Sequence, residues 1–293
     1  MTKQQWSWKA SSGAHSDDCI AMYKIVLLHE MIHPTYNLFL AIYLAHLLTD
    51  FVFQNAWIVS NKHRGEWRGY LIHGVVHYVA VLAMVTLADP HRLLTLSFQL
   101  LAFSLSLIHL LIDWAKVSLT ESHRISDTAL AFVLDQAIHL FTIMGAVFLL
   151  VRPSLQTFVS WLSRIRLLQE SILLVSVVYV LVIFGSGYFI RALIGPLWKE
   201  EQGQTKKEHE EVINAGLYIG WLERFLVLTA LFLQSPATVG FILAAKSIAR
   251  YPELKSVRFA EYFLIGTLLS VAIAIGGAIV LLKALYGTVA FGK

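Results

Sequence analysis

Cysteine is nearly absent: Cys19 stands alone in 293 residues, which excludes an internal disulfide. It lies in the polar stretch HSDDCIAM with no apolar run before it, so neither a signal peptide nor a lipid anchor is indicated. Charge is scarce too, at 14% of residues against 57% hydrophobic. The apolar residues come in unbroken runs long enough to cross a bilayer, not in the amphipathic pattern of a solvent-facing fold. The net charge of +4 is gathered between those runs, where it reads as loop charge that sets topology and not as a nucleic-acid surface. No serine or cysteine nucleophile constellation appears. Glycine and proline are missing from the runs at 35–58 and 93–117, so helices there should be unbroken.

What is present predicts an all-α polytopic membrane protein. Spans are expected at about 35–58, 69–88, 93–117, 127–151, 171–197, 216–250 and 260–286, about seven in all. The boundaries suggest a polar, mobile tail at 1–34, a four-helix membrane bundle at 35–151, an interfacial helix at 152–170 and a C-terminal membrane subdomain at 171–293. Within the last, a break at QSPATVG would make 216–250 a helical hairpin dipping into the membrane. The stretch at 199–211 reads as a solvated charged loop. Lys62, Arg64, Arg68, Lys116, Arg124, Arg191, Lys199, Lys206 and Lys207 fall on one side, against Arg92, Arg152, Arg164 and Arg166 on the other. The first side should be cytoplasmic and the N-terminus outside.

Ionisable residues inside the spans are costly in hydrocarbon and demand a reason. Four successive spans each carry one pair: His46 with Asp50, His73 with His77, His109 with Asp113, and Asp135 with His139. Each pair is spaced i, i+4, which puts both side chains on one helix face. Asp50, His77, His109 and Asp135 lie about eight residues, or ~12 Å, from the proposed cytoplasmic ends, although the helices alternate in direction. HLLTD at 46–50 and HLLID at 109–113 match at four of five positions, and each opens a hairpin, so a pseudo-twofold four-helix bundle is implied. Five histidines and three aspartates exceed what one tetrahedral ion needs, so two ions, or one with outer partners, are both open. Imidazole with carboxylate suits zinc, manganese or iron, zinc first. The plainer alternative is that the pairs hydrogen-bond between helices without metal. Haem would leave the aspartates without a role.

The chain resembles a bacterial inner-membrane family known only as domain of unknown function 3307. The resemblance runs over about 37–285, through LFLAIYLAHLLTDFVFQ, LIHLLIDWAK, VLDQAIH, GLYIGWLERFLVL, GFILAAKSIAR and EYFLIGTLLS. It implies no activity, only that His46, Asp50, Gln54, His109, Asp113, Lys116, Asp135, Gln136 and His139 belong to a shared pattern. On that basis Gln54, Lys116 and Gln136 are placed with substrate. The H-E-x-x-H spelling at His29–His33 lies outside the resemblance, is followed at once by Pro34, and has no third ligand at a protease spacing, so it reads as a decoy.

In the second half, Glu223 and Arg224 face Lys246 and Arg250 across the expected hairpin. An ion pair of Glu223 with Lys246 or Arg250 is the plainer reading; the functional one is that the surplus positive charge of Arg224, Lys246 and Arg250, with Lys116, binds an anionic headgroup or phosphate near the cytoplasmic surface. The function expected is metal-dependent hydrolysis of a membrane-embedded or lipid-linked substrate, with Asp50 and Asp113 as catalytic carboxylates. A divalent-cation transporter and a non-catalytic scaffold are the alternatives.

Overall fold

The computed structural model describes residues 35–126, 128–152, 172–198 and 206–287, with the backbone alone at 196–198 and 206–215. The polar tail with Cys19 and the HEMIH stretch lies outside them. So do the expected interfacial helix beyond Arg152 and the first part of the charged loop at 199–211.

The described residues are helical without strands. Helix α1 (Thr35–Phe53) is followed by a short α2 (Ala56–His63), then α3 (Trp67–Ala88), α4 (Leu96–Glu121) and α5 (Ala129–Val151). Helix α6 runs from Ile172–Val180 through a π turn at Leu181–Gly185 into Ser186–Trp198. Then come α7 (Lys206–Phe232), α8 (Pro236–Ala249) and α9 (Val257–Tyr286).

Helix α1 is apolar all round, the pattern of a helix buried on every side. One stripe, Leu38, Ala41, Ile42 and Ala45, packs with Val81 and Val85 of α3, Phe98 and Leu105 of α4, and Ile143 and Val147 of α5. The opposite stripe, Leu40, Leu44, Leu47 and Phe51, packs with Val178 and Val182 of α6, Leu228 of α7 and Leu281 of α9. Large apolar side chains such as Leu87, Leu149 and Phe241 stand exposed on the outer faces, as lipid contact requires.

Three expectations change. Among the described residues, six helices, not seven, are long and apolar enough to cross a membrane: α1, α3, α4, α5, α6 and α9. The break expected at QSPATVG is present, as a turn at Gln234 with a left-handed φ of 58° after which Pro236 restarts the chain as the 14-residue α8, so 216–250 supplies a hairpin and not the seventh span. The first span stops at Phe53 instead of 58 and ends in a π turn at Thr49–Phe53, so it is not the unbroken rod that its lack of glycine and proline suggests. Residues 206–211 are the first turns of α7 and not loop.

Two adjacent glycines of α9 show how closely the second core is packed. A Cβ on Gly277 would lie 2.6 Å from Cγ2 of the stiff Val182, whereas a Cβ on Gly276 would meet nothing within 4 Å. Gly277→Ala is expected to lower the thermal midpoint in detergent, because overpacking costs about 1–3 kcal/mol and exceeds the roughly 1 kcal/mol gained in helix propensity. Gly276→Ala keeps only the gain and should raise it. Equal midpoints for the two variants would contradict this packing.

Candidate metal centre

The local chain geometry explains how the polar side chains gather. At the end of α1, Thr49 Oγ1 donates to the Ala45 carbonyl at 2.8 Å, and the π turn then carries Asp50. The helix breaks at Gln54, whose ψ of 100° is extended, and Asn55 caps α2 by accepting from the Ile58 N–H at 2.9 Å. Gly65, at φ +70°, takes the left-handed turn that sends α2 back along α3. The two helices touch where Gly69 has no side chain: a Cβ there would lie 2.8 Å from Asn61 Cβ and 3.0 Å from Lys62 N. Lys62 is thereby carried inward and buried.

The eight sequence-predicted histidines and aspartates of α1, α3, α4 and α5 lie together, His46, His73, His77, His109, Asp135 and His139 buried and the other two nearly so. His109 sits at the centre. Its Nε2 is 2.8 Å from His73 Nε2 and 3.3 Å from Asp50 Oδ1, and its Nδ1 is 3.1 Å from His139 Nδ1. Asp113 places Oδ2 3.2 Å from His73 Nε2 and Oδ1 3.5 Å from His139 Nε2. The His46 ring packs on those of His139 and His109, with centroids 4.7 and 5.2 Å away. His77 is held through Nδ1 by Ser106 Oγ at 2.9 Å, and Ser106 itself donates to the Ala102 carbonyl.

Two overlapping groups could hold an ion: Asp50, His109, Asp113 and His139, and His46, His77 and His109, each offering ligand atoms within 4.8 Å of one another. Ligands 2.0–2.3 Å from one ion stand about 3.3–3.8 Å apart in tetrahedral geometry. His109 Nε2 lies 3.3 Å from Asp50 Oδ1 and 3.8 Å from Asp113 Oδ2, and His139 Nε2 lies 3.5 Å from the other Asp113 oxygen, Oδ1. His46 Nδ1, Asp50 Oδ1, His73 Nδ1, Asp135 Oδ1 and His139 Nε2 are buried without a hydrogen bond among the described residues. Several of these atoms are close to opposite groups yet misaligned for bonding to them, as with Asp50 Oδ1 between His73 and His109.

Two lysines close the cluster. Lys62 Nζ donates to Asp113 Oδ2 at 2.6 Å and to Gln54 Oε1 at 3.2 Å; Lys116 Nζ donates to Asp135 Oδ2 at 2.9 Å. Gln136 links His46 Nε2, 3.4 Å from its Oε1, to Asp135, to which its Nε2 donates at 3.3 Å. Gln54, Lys116 and Gln136 thus border the histidines and aspartates. Lys62 and Ser106 were missed from the sequence. Lys62 reads there as topology-setting loop charge, and an eight-residue helix is too short for any periodic signal to mark it.

Arg224, Lys246 and Arg250 do not join this cluster. Lys246 pairs with Glu223 and donates to Thr267 Oγ1 at 2.8 Å, while Arg250 Nη1 lies 3.4 Å from Glu253 Oε1. Arg224 is buried, and its Nε and Nη2 donate at 3.1 and 2.8 Å to the Ile183 carbonyl inside the π turn of α6. The expected structural pairing of Glu223 is therefore with Lys246 and not with Arg250.

Residues 38–169 match a family model described as a protein of unknown function (DUF3307), in line with the first half of the resemblance read from the sequence, which itself runs on to about 285. That segment contains all of the cluster. No curated protein and no solved structure matches the chain.

Proposed function

We propose that the cluster binds a divalent transition-metal ion, zinc first, and that the protein is a metal-dependent hydrolase of a membrane-embedded or lipid-linked substrate in a bacterial inner membrane. The observation that carries the reading is the set of carboxylate and imidazole atoms from α1, α4 and α5 spaced as ligands of one ion. Asp50, His109, Asp113 and His139 are the ligands; His46, His73, His77 and Asp135 surround them. A bound ion would lower the pKa of a coordinated water. Asp50 or Asp113 would hold the proton taken from that water, through whichever oxygen is not on the ion. Lys62 and Lys116, with Gln54 and Gln136 beside them, offer donors to an anionic oxygen of the substrate.

A purely structural network fits less well: Asp50 Oδ1, Asp135 Oδ1 and His139 Nε2 are near opposite groups but off bonding geometry, and His46 Nδ1 and His73 Nδ1 are buried without a hydrogen bond among the described residues, where an unpaired group costs about 1–3 kcal/mol. A divalent-cation transporter is the second reading. The π turn at Asp50 and the break at Gln54 favour it, because transporters interrupt helices at their sites. Against it stand Lys62 and Lys116, two cations bonded to the site's own carboxylates. Proteoliposomes loaded with a metal-sensitive dye are expected to show no protein-dependent flux. Incubation with bacterial lipid extract should release a water-soluble product that Asp113→Asn abolishes. Saturable flux without product would replace the hydrolase by the transporter.

A further inference from the structure

A cavity of about 160 Å³, room for about five water molecules, lies among α6, α7, α8 and α9. Its lining carries four cations, Arg191, Arg224, Lys246 and Arg250, against one carboxylate, Glu223. Even with Glu253 set against Arg250 at the rim, the cations are in excess. We propose that this cavity binds a phosphate-bearing headgroup that also carries a hydrogen-bond donor, a site separate from the metal cluster and independent of its chemistry.

The anion half of the site is built around Arg224. A guanidinium has five N–H groups. Nε and Nη2 use one each on the Ile183 carbonyl and Nη1 one on Ser270 Oγ, which leaves two. Two glycines of the lining let the backbones of α6 and α7 approach its nitrogens closely. A Cβ on Gly220 would lie 2.9 Å from Arg224 Nη1, and one on Gly187 would lie 2.8 Å from Nη2 and 3.0 Å from Trp221 Nε1. A planar, always charged fork with two unused N–H groups suits a phosphate oxygen pair.

The donor-reading half is Glu223. Lys246 holds one of its oxygens, and the other, Oε1, is buried without a hydrogen bond among the described residues. A carboxylate oxygen only accepts. A ligand that brings a hydroxyl or ammonium beside its phosphate would satisfy both halves. The apolar part of the lining, including Ile190, Leu217 and Phe259, suits the glycerol and upper chain of a lipid. The shared chemistry is a phosphate with its own donor; the source is a lipid headgroup or free hydrogen phosphate.

The test titrates the full-length protein in detergent with dioleoylphosphatidylglycerol, dioleoylphosphatidylcholine or inorganic phosphate and reads binding by native mass spectrometry and thermal shift. Phosphatidylglycerol, which has hydroxyls, should bind at least about tenfold more tightly than phosphatidylcholine, which has none. Arg191→Gln with Arg250→Gln should weaken phosphatidylglycerol binding about 10–100-fold. Both side chains are at least partly exposed, so the fold is retained, and unchanged metal content in this variant keeps the result apart from the fate of the metal centre. Glu223→Gln should abolish the preference between the two lipids. Inorganic phosphate binding as tightly as phosphatidylglycerol, and lost in the same arginine variant, assigns the site to free phosphate. Equal binding of both lipids by the wild type, or binding untouched by the arginine variant, overturns the proposal.

Discussion

Detergent-purified protein is expected to carry about one divalent transition-metal ion per chain, and the Asp50→Ala, Asp113→Ala double variant none above background. Charge decides the number. Asp50, Asp113 and Asp135 bring three negative charges, and Lys62 and Lys116, bonded to two of them, return two positive ones. One divalent ion takes the cluster from about one negative to about one positive charge, while two would strand about three positive charges in a low-dielectric site. Deleting both aspartates removes the anionic ligands of the Asp50, His109, Asp113 and His139 group and leaves only imidazoles. Elemental mass spectrometry measures the content, and Asp50→Asn with Asp113→Asn repeats the loss without opening cavities. A folded wild type that is metal-free after purification and after equilibration with zinc, manganese and iron would remove the metal centre.

Lys62→Met is expected to tighten metal binding by at least about tenfold, the reverse of the loss usual when a partner of a ligand is removed. Two effects compete. Losing the Lys62–Asp113 bond frees one ligand carboxylate, and outer partners of this kind are typically worth 10–100-fold, about 1.4–2.8 kcal/mol. Against that, a unit charge and a divalent ion about 5 Å apart repel by roughly 7 kcal/mol at an effective dielectric of about 20. The repulsion is larger. Methionine keeps the length and apolar stem of the buried lysine, so the packing of α2 on α3 should survive. Gly69→Ala should act in the same direction by a different route, because its Cβ would press on Asn61 Cβ and on the Lys62 backbone and so draw the ammonium away from Asp113. Chelator-competition titration reads both. Weaker binding in Lys62→Met would mean that the lysine holds Asp113 for the ion and does not oppose it.

The parts of this protein legible in the sequence are those carried by local repetition. An apolar run of membrane length announces its helix, and an i, i+4 spacing places His46 with Asp50 or His109 with Asp113 on one face whatever the neighbours do. The break near QSPATVG could be read from proline chemistry alone. The parts that failed are the ones without a period. The first span ends early because a π turn inserts an additional residue at Thr49–Phe53, and nothing in TDFVF signals it. A glycine and proline count therefore overstated how rigid that helix is.

Lys62 shows the same limit more sharply. In the sequence it is one lysine among the loop charges; in the fold it is buried on Asp113, because Gly65 turns the chain and Gly69 lets α2 lie against α3. Arg224 likewise reads as one member of a charged group, and only the π turn of α6 supplies the Ile183 carbonyl that fixes its guanidinium. By itself, then, the sequence determined the membrane helices, their apolar faces and the residues that each face presents, since these follow from 1.5 Å of rise and 100° of rotation per residue. Only the tertiary structure decided which atoms meet, that two lysines join the carboxylates and that the C-terminal cations form a separate cavity. Helix rotation, a π turn and the approach of two backbones at a glycine are set by packing between distant segments, which no local spacing encodes.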